Sequence, residues 1–440
     1  MFFHFPFLIA LFFNNHYVFF PRTCAQENTG MKQKFLFFIG LLGVVFAEAQ
    51  VGKELYNSWR VVLERKDGKQ VVFQLKRKPE QGRTVLYIIN AAERIQITDV
   101  KIVGDSMFFS MPAFESSFRV KLQANGDMTG TYVKGTSGNI QYWPFFAYAN
   151  RNRFDKGSGD AKNNISGRWD VSITRANGSV RKAVGVFEQK GNKLIGSFLT
   201  PSADYRYLQG IVTGDSLMLS GFDGDNVRLF EAKIENANTI SGGVFYNGYT
   251  GKETWIAEKN ASVALPEINE PMRLREEASK LNFTFKDLQE IPVSINDEKY
   301  KNKVVVIQLM GSWCANCLDE TKFLSDYYKT NRSRGIEIIA LAYELTTDLN
   351  RSKKSVAKFQ KLFDVQYPML ITGATAGDEK KTEKTLPQFT AIRSFPTTIF
   401  IDKKGEVREI HTNFYGPASG KYFTASKNKF YETVDRLLKE

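Results

Sequence analysis

Residues 304–324, with the sequence VVVIQLMGSWCANCLDETKFL, join a strand pattern to a helix pattern around a Cys-x-x-Cys pair. The run up to Met310 is apolar and rich in β-branched residues, which is typical of a strand buried on both faces. A short turn with Gly311 and Ser312 follows. The helical pattern then presents an apolar face formed by Leu318, Phe323 and Leu324. The cysteine pair therefore lies where a buried strand leads into a helix.

This placement favours redox chemistry at the two cysteines. Free backbone N–H groups and the positive end of the helix dipole stabilise a thiolate, so we expect a lowered pKa for Cys314. Cys317 follows about one turn later on the same face, close enough to close a disulfide. Asp319 and Glu320 are interpreted as acids of the first helical turn, where a helix favours negative charge.

A zinc site is the alternative for a lone Cys-x-x-Cys pair. Zinc takes about four protein ligands in a structural site. The sequence has no second Cys-x-x-Cys or Cys-x-x-His, and its 3 histidines form no sequence cluster, being His4, His16 and His411. We therefore predict a redox dithiol, with no metal and no cofactor.

The composition gives further limits on function. The 440 residues allow two or three domains. The net charge of +13 is spread along the chain, and its densest cluster, 351–361, has the apolar spacing of an amphipathic helix. We therefore expect a solvated basic surface and no nucleic-acid partner.

The amino end predicts export. After Met31, two lysines form a positive region, an apolar core covers residues 35–47, and Ala-Glu-Ala supplies a cleavage site before Gln50. We predict that Met31 is the true start and that residues 1–49 are an upstream extension plus a signal peptide. Export to the periplasm or cell envelope would follow, with an uncleaved membrane anchor as the alternative. Cleavage would also remove Cys24, so that the pair alone remains, as suits an oxidising compartment.

The middle of the chain predicts an all-β region with a two-fold internal repeat. Short β-branched or aromatic runs, separated by polar turns, extend from about Trp59 to Trp255. Trp59 and Trp169 open similar segments and are 110 residues apart (169 − 59). Two Gly-Asp-Ser turns, which begin at Gly104 and Gly214, are separated by the same 110 residues (214 − 104), as expected of a repeat. Each copy is interpreted as a small barrel or half of a sandwich. The two predicted β-units span residues 50–150 and 165–260.

Two features of this region leave alternatives open. The aromatic residues between Tyr142 and Tyr148 are interpreted as core or turn packing, with a docking surface for a partner as the alternative. Residues 261–282 are predicted to be a linker, because prolines interrupt its start, and a short helix is predicted at 272–281.

Residues 283–440 alternate strand and helix patterns. They predict an α/β domain in which helices flank a mixed sheet. Beyond the opening stretch, the predicted strands cover 335–344, 367–372 and 394–402, with a returning strand from 406. The predicted helices cover 352–363 and 427–439.

Several spaced motifs in this domain carry a family resemblance. Trp-Cys-Ala-Asn-Cys at 313–317 and Phe-Pro-Thr-Thr at 395–398 together resemble a thioredoxin fold. With Glu344 ending the strand after the Cys-x-x-Cys helix, and Phe-Tyr-Gly-Pro-Ala-Ser-Gly at 414–420, the domain resembles the TlpA/ResA-like thiol–disulfide oxidoreductases, which are exported thioredoxin-fold proteins. The resemblance covers about residues 283–440 only.

The resemblance implies a role for each matching position. Cys314 is implied to be the nucleophile that forms a mixed disulfide, and Cys317 the resolving thiol of the redox-active disulfide. Pro396 matches the cis-proline of the fold, and Glu344 matches an acid that influences the titration of the pair. The implied substrate-contacting residues are Trp313, Phe395 and Thr397.

The resulting hypothesis is an exported enzyme that reduces disulfides of exported proteins and is re-reduced by a membrane thiol donor. The Ala315-Asn316 dipeptide differs from the Gly-Pro of thioredoxin, so an oxidase or isomerase is an alternative. An envelope interaction protein that binds through its β-units is another. A peroxidase is a third, although the Pro-x-x-x-Thr-x-x-Cys context of peroxidatic cysteines is absent before Cys314.

Overall fold

The computed structural model describes residues 56–135, 140–154, 159–265, 267–268 and 270–440. The predicted signal peptide, its cleavage site and Cys24 lie outside the described residues. The described helices do not include one that is long and apolar enough to cross a membrane.

The first β-unit is one antiparallel sheet of nine strands. The sheet follows the order β4-β3-β2-β1-β9-β8-β7-β6-β5, so its two edges are the consecutive strands β4 and β5. Trp59 lies opposite Leu75 on one side and Ala149 on the other, which joins the start of the unit to its end. The strands are β1 (Ser58–Glu64), β2 (Gln70–Glu80), β3 (Arg83–Asn90), β4 (Glu93–Ile97), β5 (Val100–Val103), β6 (Ser106–Ser110), β7 (Ser116–Leu122), β8 (Met128–Lys134) and β9 (Gln141–Ala149).

The second β-unit is a closed antiparallel barrel of eight strands. Closure comes from pairing of its first and last strands, with Trp169 opposite Lys259. Alternating residues point inward and fill the interior with aromatic rings such as Phe198 and Phe230, which stack 4.3 Å apart. The strands are β10 (Gly167–Thr174), β11 (Val180–Lys190), β12 (Lys193–Leu199), β13 (Leu208–Thr213), β14 (Ser216–Phe222), β15 (Val227–Asn236), β16 (Thr239–Asn247) and β17 (Gly251–Lys259).

Burial separates the aromatic residues of β9 into two groups. Trp143 and Phe145 are fully buried in the core, as their interpretation as packing residues requires. Tyr142 and Tyr148 are exposed, because successive side chains of a strand point to opposite faces.

The carboxy-terminal domain is a seven-stranded mixed sheet flanked by helices. Its strand order is β19-β18-β22-β21-β20-β23-β24, with β20, β21 and β22 parallel to one another. The strands are β18 (Thr284–Asp287), β19 (Pro292–Ser294), β20 (Val304–Met310), β21 (Ile336–Ala342), β22 (Met369–Ile371), β23 (Thr397–Ile401) and β24 (Val407–His411). The helices are α1 (Ala315–Asn331), α2 (Leu349–Phe363), α3 (Lys381–Thr385) and α4 (Lys421–Lys439).

Strand β20 lies in the interior of this sheet, between β21 and β23, and is buried along its whole length. Val304 and Val306 face a core that also contains Phe323 of α1 and Phe359 of α2. The alternate residues face a second core on the opposite side of the sheet, which explains why the sequence is apolar at every position but Gln308. The first core continues into the first β-unit, so the sheet domain and the β region share buried surface.

The structure corrects three sequence-based expectations. Residues 272–281 form no helix, because their backbone pairs with other segments instead: Arg275 N donates to Gln388 O at 2.8 Å and Val407 N donates to Ser279 O at 2.9 Å. Helix α4 begins at Lys421, six residues before the predicted start (427 − 421), because Gly420 ends the preceding turn. Strand β21 ends at Ala342, and Glu344 therefore lies in the turn beyond it.

Candidate active site

The two cysteines form a disulfide at the amino end of α1. Their Cα atoms lie 5.2 Å apart. Cys314 caps the helix, since its sulfur accepts a hydrogen bond from Cys317 N at 3.2 Å. Cys314 retains 7% of its exposure and Cys317 none. A reacting partner can therefore reach only the first sulfur, and that sulfur lies at the positive end of the helix dipole.

The loop before β23 lies directly against the pair. The Phe395–Pro396 peptide bond is cis, as the resemblance implied. The carbonyl oxygen of Phe395 lies 3.6 Å from the Cys314 sulfur. Thr397 is buried, and its hydroxyl donates to Ser394 O at 2.9 Å. The loop thus presents its backbone, and not the Thr397 side chain, toward the disulfide.

Trp313 forms the apolar wall beside this loop. Its ring packs edge to face on Phe395 with centroids 5.8 Å apart, and its indole N–H donates to Tyr343 O at 2.9 Å. Gly311 lies under the same ring, where a Cβ would overlap the indole nitrogen. The turn between β20 and α1 therefore needs glycine to hold Trp313 next to the cysteines.

Glu344 holds that turn from the opposite side. It is 5% exposed and binds Ser312 twice, accepting from its backbone N at 2.8 Å and from its hydroxyl at 2.5 Å. Burial raises the pKa of Glu344, against the lowering effect of the two bonds from Ser312. The side chain thus fixes the residue that precedes Trp313.

A second buried acid is Glu320. The sequence pattern predicts that Asp319 and Glu320 lie in the first helical turn, but the first turn of α1 contains no acid. Helix α1 begins at Ala315, so Glu320 lies in its second turn, three residues after Cys317 and on the same side of the helix. Its carboxylate accepts from Gln308 at 2.8 Å and from Thr398 at 2.6 Å. Burial raises the pKa of Glu320 to about 7. The one signal for this acid in the sequence is Gln308, a polar residue within the apolar run 304–310, because a buried polar side chain needs a hydrogen-bond partner.

A loop of the barrel contacts the residues between the cysteines, and nothing in the sequence pointed to this contact. Arg206 donates to the backbone carbonyl of Ala315 at 2.9 Å and pairs with Asp319. With its amide oriented to satisfy both partners, Asn316 bonds the backbone N and O of Asp204 at 3.3 Å each. Burial raises the pKa of Asp319 to about 6.

The first β-unit approaches the site from the other side. Glu115 forms a bidentate pair with Arg351 of α2, with oxygens 3.2 and 2.9 Å from Nε, and it also binds Ser355. Lys358 donates to Phe114 O at 2.7 Å. A small cavity of about 30 Å³ lies between these groups and the redox turn. Its lining includes Phe114, Glu115, Ser312, Trp313, Glu344 and Arg351.

Comparison with known proteins finds relatives of the carboxy-terminal part of this chain. The AhpC/TSA family model matches residues 277–410. Thiol-disulfide oxidoreductase ResA of Bacillus cereus (strain ATCC 10987 / NRS 248) is 29% identical over 171 residues, which are 38% of this chain and 79% of that protein. ResA of Bacillus thuringiensis subsp. konkukian (strain 97-27) is 30% identical over 138 residues, which are 31% of this chain and 69% of that protein.

Among solved structures, a putative thiol:disulfide interchange protein DsbE from Chlorobium tepidum aligns with 38% of this chain and 99% of its own length. The sequence identity is 16% and the TM-score is 0.29.

Proposed function

Because this chain belongs, through its carboxy-terminal domain, to the family of ResA-like thiol–disulfide oxidoreductases, we propose that it reduces disulfides of exported partner proteins. The observation that carries the proposal is the Cys314–Cys317 disulfide, in which the first sulfur caps a helix and the second is fully buried. This arrangement separates an attacking thiol from a resolving one.

The proposed reaction transfers two electrons. The Cys314 thiolate attacks one sulfur of the substrate disulfide, forming a mixed disulfide and releasing the other substrate sulfur as a thiolate, which takes up a proton. Cys317 loses its proton and attacks the Cys314 sulfur, which closes the enzyme disulfide and releases the second substrate thiolate. Once the second substrate thiolate is also protonated, the substrate has gained two electrons and two protons. The enzyme supplies both electrons and the Cys317 proton, and water supplies the other proton because Cys314 reacts as a thiolate.

We propose different roles for the two buried acids, positioning for Glu344 and proton transfer for Glu320. Both oxygens of Glu344 are bound to Ser312, so its part is to hold the turn that carries Trp313 and Cys314. Glu320, whose pKa of about 7 allows it to gain or lose a proton near neutral pH, is the better candidate to accept the Cys317 proton. The Phe395 carbonyl beside Cys314, the Trp313 wall and the backbone of Thr397 after Pro396 are proposed to border the bound substrate chain.

The proposed setting is the cell envelope. Basic residues, an apolar run and an Ala-x-Ala site after Met31 support export and cleavage before Gln50. A reductant in an oxidising compartment needs a continuous supply of electrons, which we assign to a membrane thiol donor.

The β-units are proposed to be two copies of one ancestral unit, at residues 50–150 and 165–260, preceding the domain at 283–440. Strands β1 and β10 start 109 residues apart (167 − 58), and β2 and β11 start 110 apart (180 − 70). Gly104 and Gly214, in equivalent turns, both have a φ of 60°. The near-constant offset of these strands and turns supports duplication, with one copy now an open sheet of nine strands and the other a closed barrel of eight.

The test is reduction of insulin disulfides by the full chain with dithiothreitol as electron source. We expect Cys314→Ser to abolish activity and Lys322→Ala, on the exposed side of the same helix, to retain it. Activity of Cys314→Ser at the wild-type rate would refute the mechanism. A reduction potential near about −270 mV would fit a reductant, whereas a value near about −120 mV would favour the oxidase alternative.

A further inference from the structure

The loop between β12 and β13, residues 200–207, is here called the barrel loop. It bonds the redox motif and the segment that follows β24. Tyr415 donates to Thr200 O at 2.8 Å, and Gly416 N donates to the Asp204 carboxylate at 2.5 Å. The barrel loop is therefore anchored to the oxidoreductase domain at Thr200 and at Asp204, the residue that also contacts Asn316.

Arg206 is the charged centre of this loop. Its side chain is 9% exposed and meets acids from three parts of the chain: Asp319 of α1, Glu93 of the first β-unit at 2.5 Å, and Asp223 of the barrel at 3.9 Å. Burial disfavours its charge, but these carboxylates outweigh that effect and raise the pKa of Arg206. A guanidinium with these partners stays protonated throughout the working pH range.

We infer that Arg206, a residue of the barrel, is a positioning residue of the redox site: it holds the backbone between the two cysteines and adds positive charge beside the sulfur that attacks the substrate. The inference rests on the proposed function and extends it. Its structural basis is the bond from the Arg206 guanidinium to the carbonyl oxygen of Ala315, the residue that directly follows Cys314.

The chemistry follows from the charge of the reduced form. Reduction of the disulfide produces a thiolate at Cys314, and a cation nearby stabilises a thiolate relative to its protonated form. Asp319 acts in the opposite direction when it is ionised, and its bond to Arg206 offsets that effect. Among the described residues, the titratable and charged groups on the elements around the redox turn are Glu93, Glu115, Asp204, Arg206, Asp223, Asp225, Asp319, Glu320, Glu344, Arg351 and Lys358.

The experiment measures how readily Cys314 is alkylated in the reduced full chain. Iodoacetamide reacts with the thiolate, and mass spectrometry of peptides quantifies the Cys314 adduct as a function of pH. We expect Arg206→Met to raise the midpoint pH of Cys314 alkylation by about one unit, because the cation is lost. Arg206→Lys, which keeps the charge but not the planar fork, should move the midpoint less.

Arg65→Met is the matched control. Arg65 is also buried and pairs with an acid, Asp67 at 3.0 Å, but its other bonds go to the carbonyls of Gly248 and Gly251 and not to the barrel loop. Its loss should leave the midpoint unchanged. An Arg206→Met midpoint equal to that of the wild type would overturn the inference.

Arg206→Gln, which keeps an N–H donor but not the charge, keeps the inference testable if Arg206→Met does not fold. Its midpoint should rise as well, and an unchanged midpoint would again overturn the inference. These outcomes are separate from the proposed function. Unmoved midpoints with normal insulin reduction would refute the role of Arg206 only, whereas activity of Cys314→Ser would refute the reaction itself.

Discussion

The Thr398 hydroxyl donates to the Glu320 carboxylate at 2.6 Å, although the two residues are 78 positions apart. The bond joins the helix that carries the cysteines to the strand that follows Pro396. Gln308 of β20 binds the second carboxylate oxygen at 2.8 Å. One buried acid therefore connects the three elements that position the redox pair.

The raised pKa of Glu320 predicts a pH dependence of stability. Between about pH 4.5, the ordinary value for a glutamate, and about pH 7, the folded chain holds a proton that the unfolded chain has released. Stability is therefore present in full below pH 4.5 and falls as the pH rises to 7. The loss is about 3 kcal/mol, because one pKa unit corresponds to about 1.4 kcal/mol.

Glu320→Gln should remove this contribution. Urea unfolding of the wild type and the variant at several pH values measures it, since the wild type should lose about 3 kcal/mol more than the variant between pH 4.5 and 7.5. Glu383→Gln, at an exposed position on α3, is the control and should follow the wild type. Parallel curves for wild type and Glu320→Gln would contradict the assignment.

The centre of the oxidoreductase domain could be predicted because its signals are local. The apolar run of β20, the Cys-x-x-Cys pair after a short turn and the Phe-Pro-Thr-Thr sequence each fix a structure within a few residues. The strand at 304–310 and the buried face with Phe323 and Leu324 are confirmed. The cis bond before Pro396 followed from a family motif and not from periodicity.

The missed features depend on packing between distant segments. By sequence, Asp319 and Glu320 are both compatible with the exposed start of a helix. In the structure, the barrel loop covers Asp319 and the sheet covers Glu320. Arg206 precedes Ala315 by 109 residues, so no periodicity connects them. The predicted helix at 272–281 failed because strand-like bonds to residues 387–390 satisfy its backbone instead.

Cys317→Ala should trap the proposed intermediate. Without the resolving thiol, the mixed disulfide between Cys314 and its substrate cannot be released by intramolecular attack. We expect a covalent adduct that survives non-reducing electrophoresis and disappears with dithiothreitol. The double variant Cys314→Ser, Cys317→Ala is the control and should form none. Equal adduct formation by both would show that another thiol reacts.

Glu344→Ala should destabilise the redox turn. The change leaves the buried Ser312 N–H and hydroxyl without their acceptor, which costs about 1–3 kcal/mol of unfolding free energy. Glu344→Gln keeps an acceptor and should lose less. Urea unfolding of the wild type and of both variants measures these changes in unfolding free energy.

The pH dependence of activity in the Glu344→Gln and Glu320→Gln variants distinguishes the roles of the two buried acids. Glu344→Gln should keep the pH profile of insulin reduction, and Glu320→Gln should change it near pH 7, where Glu320 titrates. A changed profile for Glu344→Gln alone would assign the proton transfer to Glu344 instead.

Gly416→Ala should disturb the contact between the barrel loop and the redox helix without touching a cysteine. A Cβ at this position would overlap the Asp319 carboxylate and lie 3.4 Å from that of Asp204, and its backbone N–H already bonds Asp204. The backbone φ of −77° suits any residue, so the effect must come from this overlap and not from the conformation.

Relief of the overlap requires the Asp319 carboxylate to shift, which disturbs its pair with Arg206. We therefore expect a loss of about 1–3 kcal/mol of unfolding free energy, as for other overpacked sites, together with an altered pH midpoint of Cys314 alkylation. Gly377→Ala, at an exposed site where an added Cβ meets no atom within 4 Å, should leave both quantities unchanged. Loss of stability with an unaltered midpoint would mean that the loop supports the fold but does not act on the thiolate.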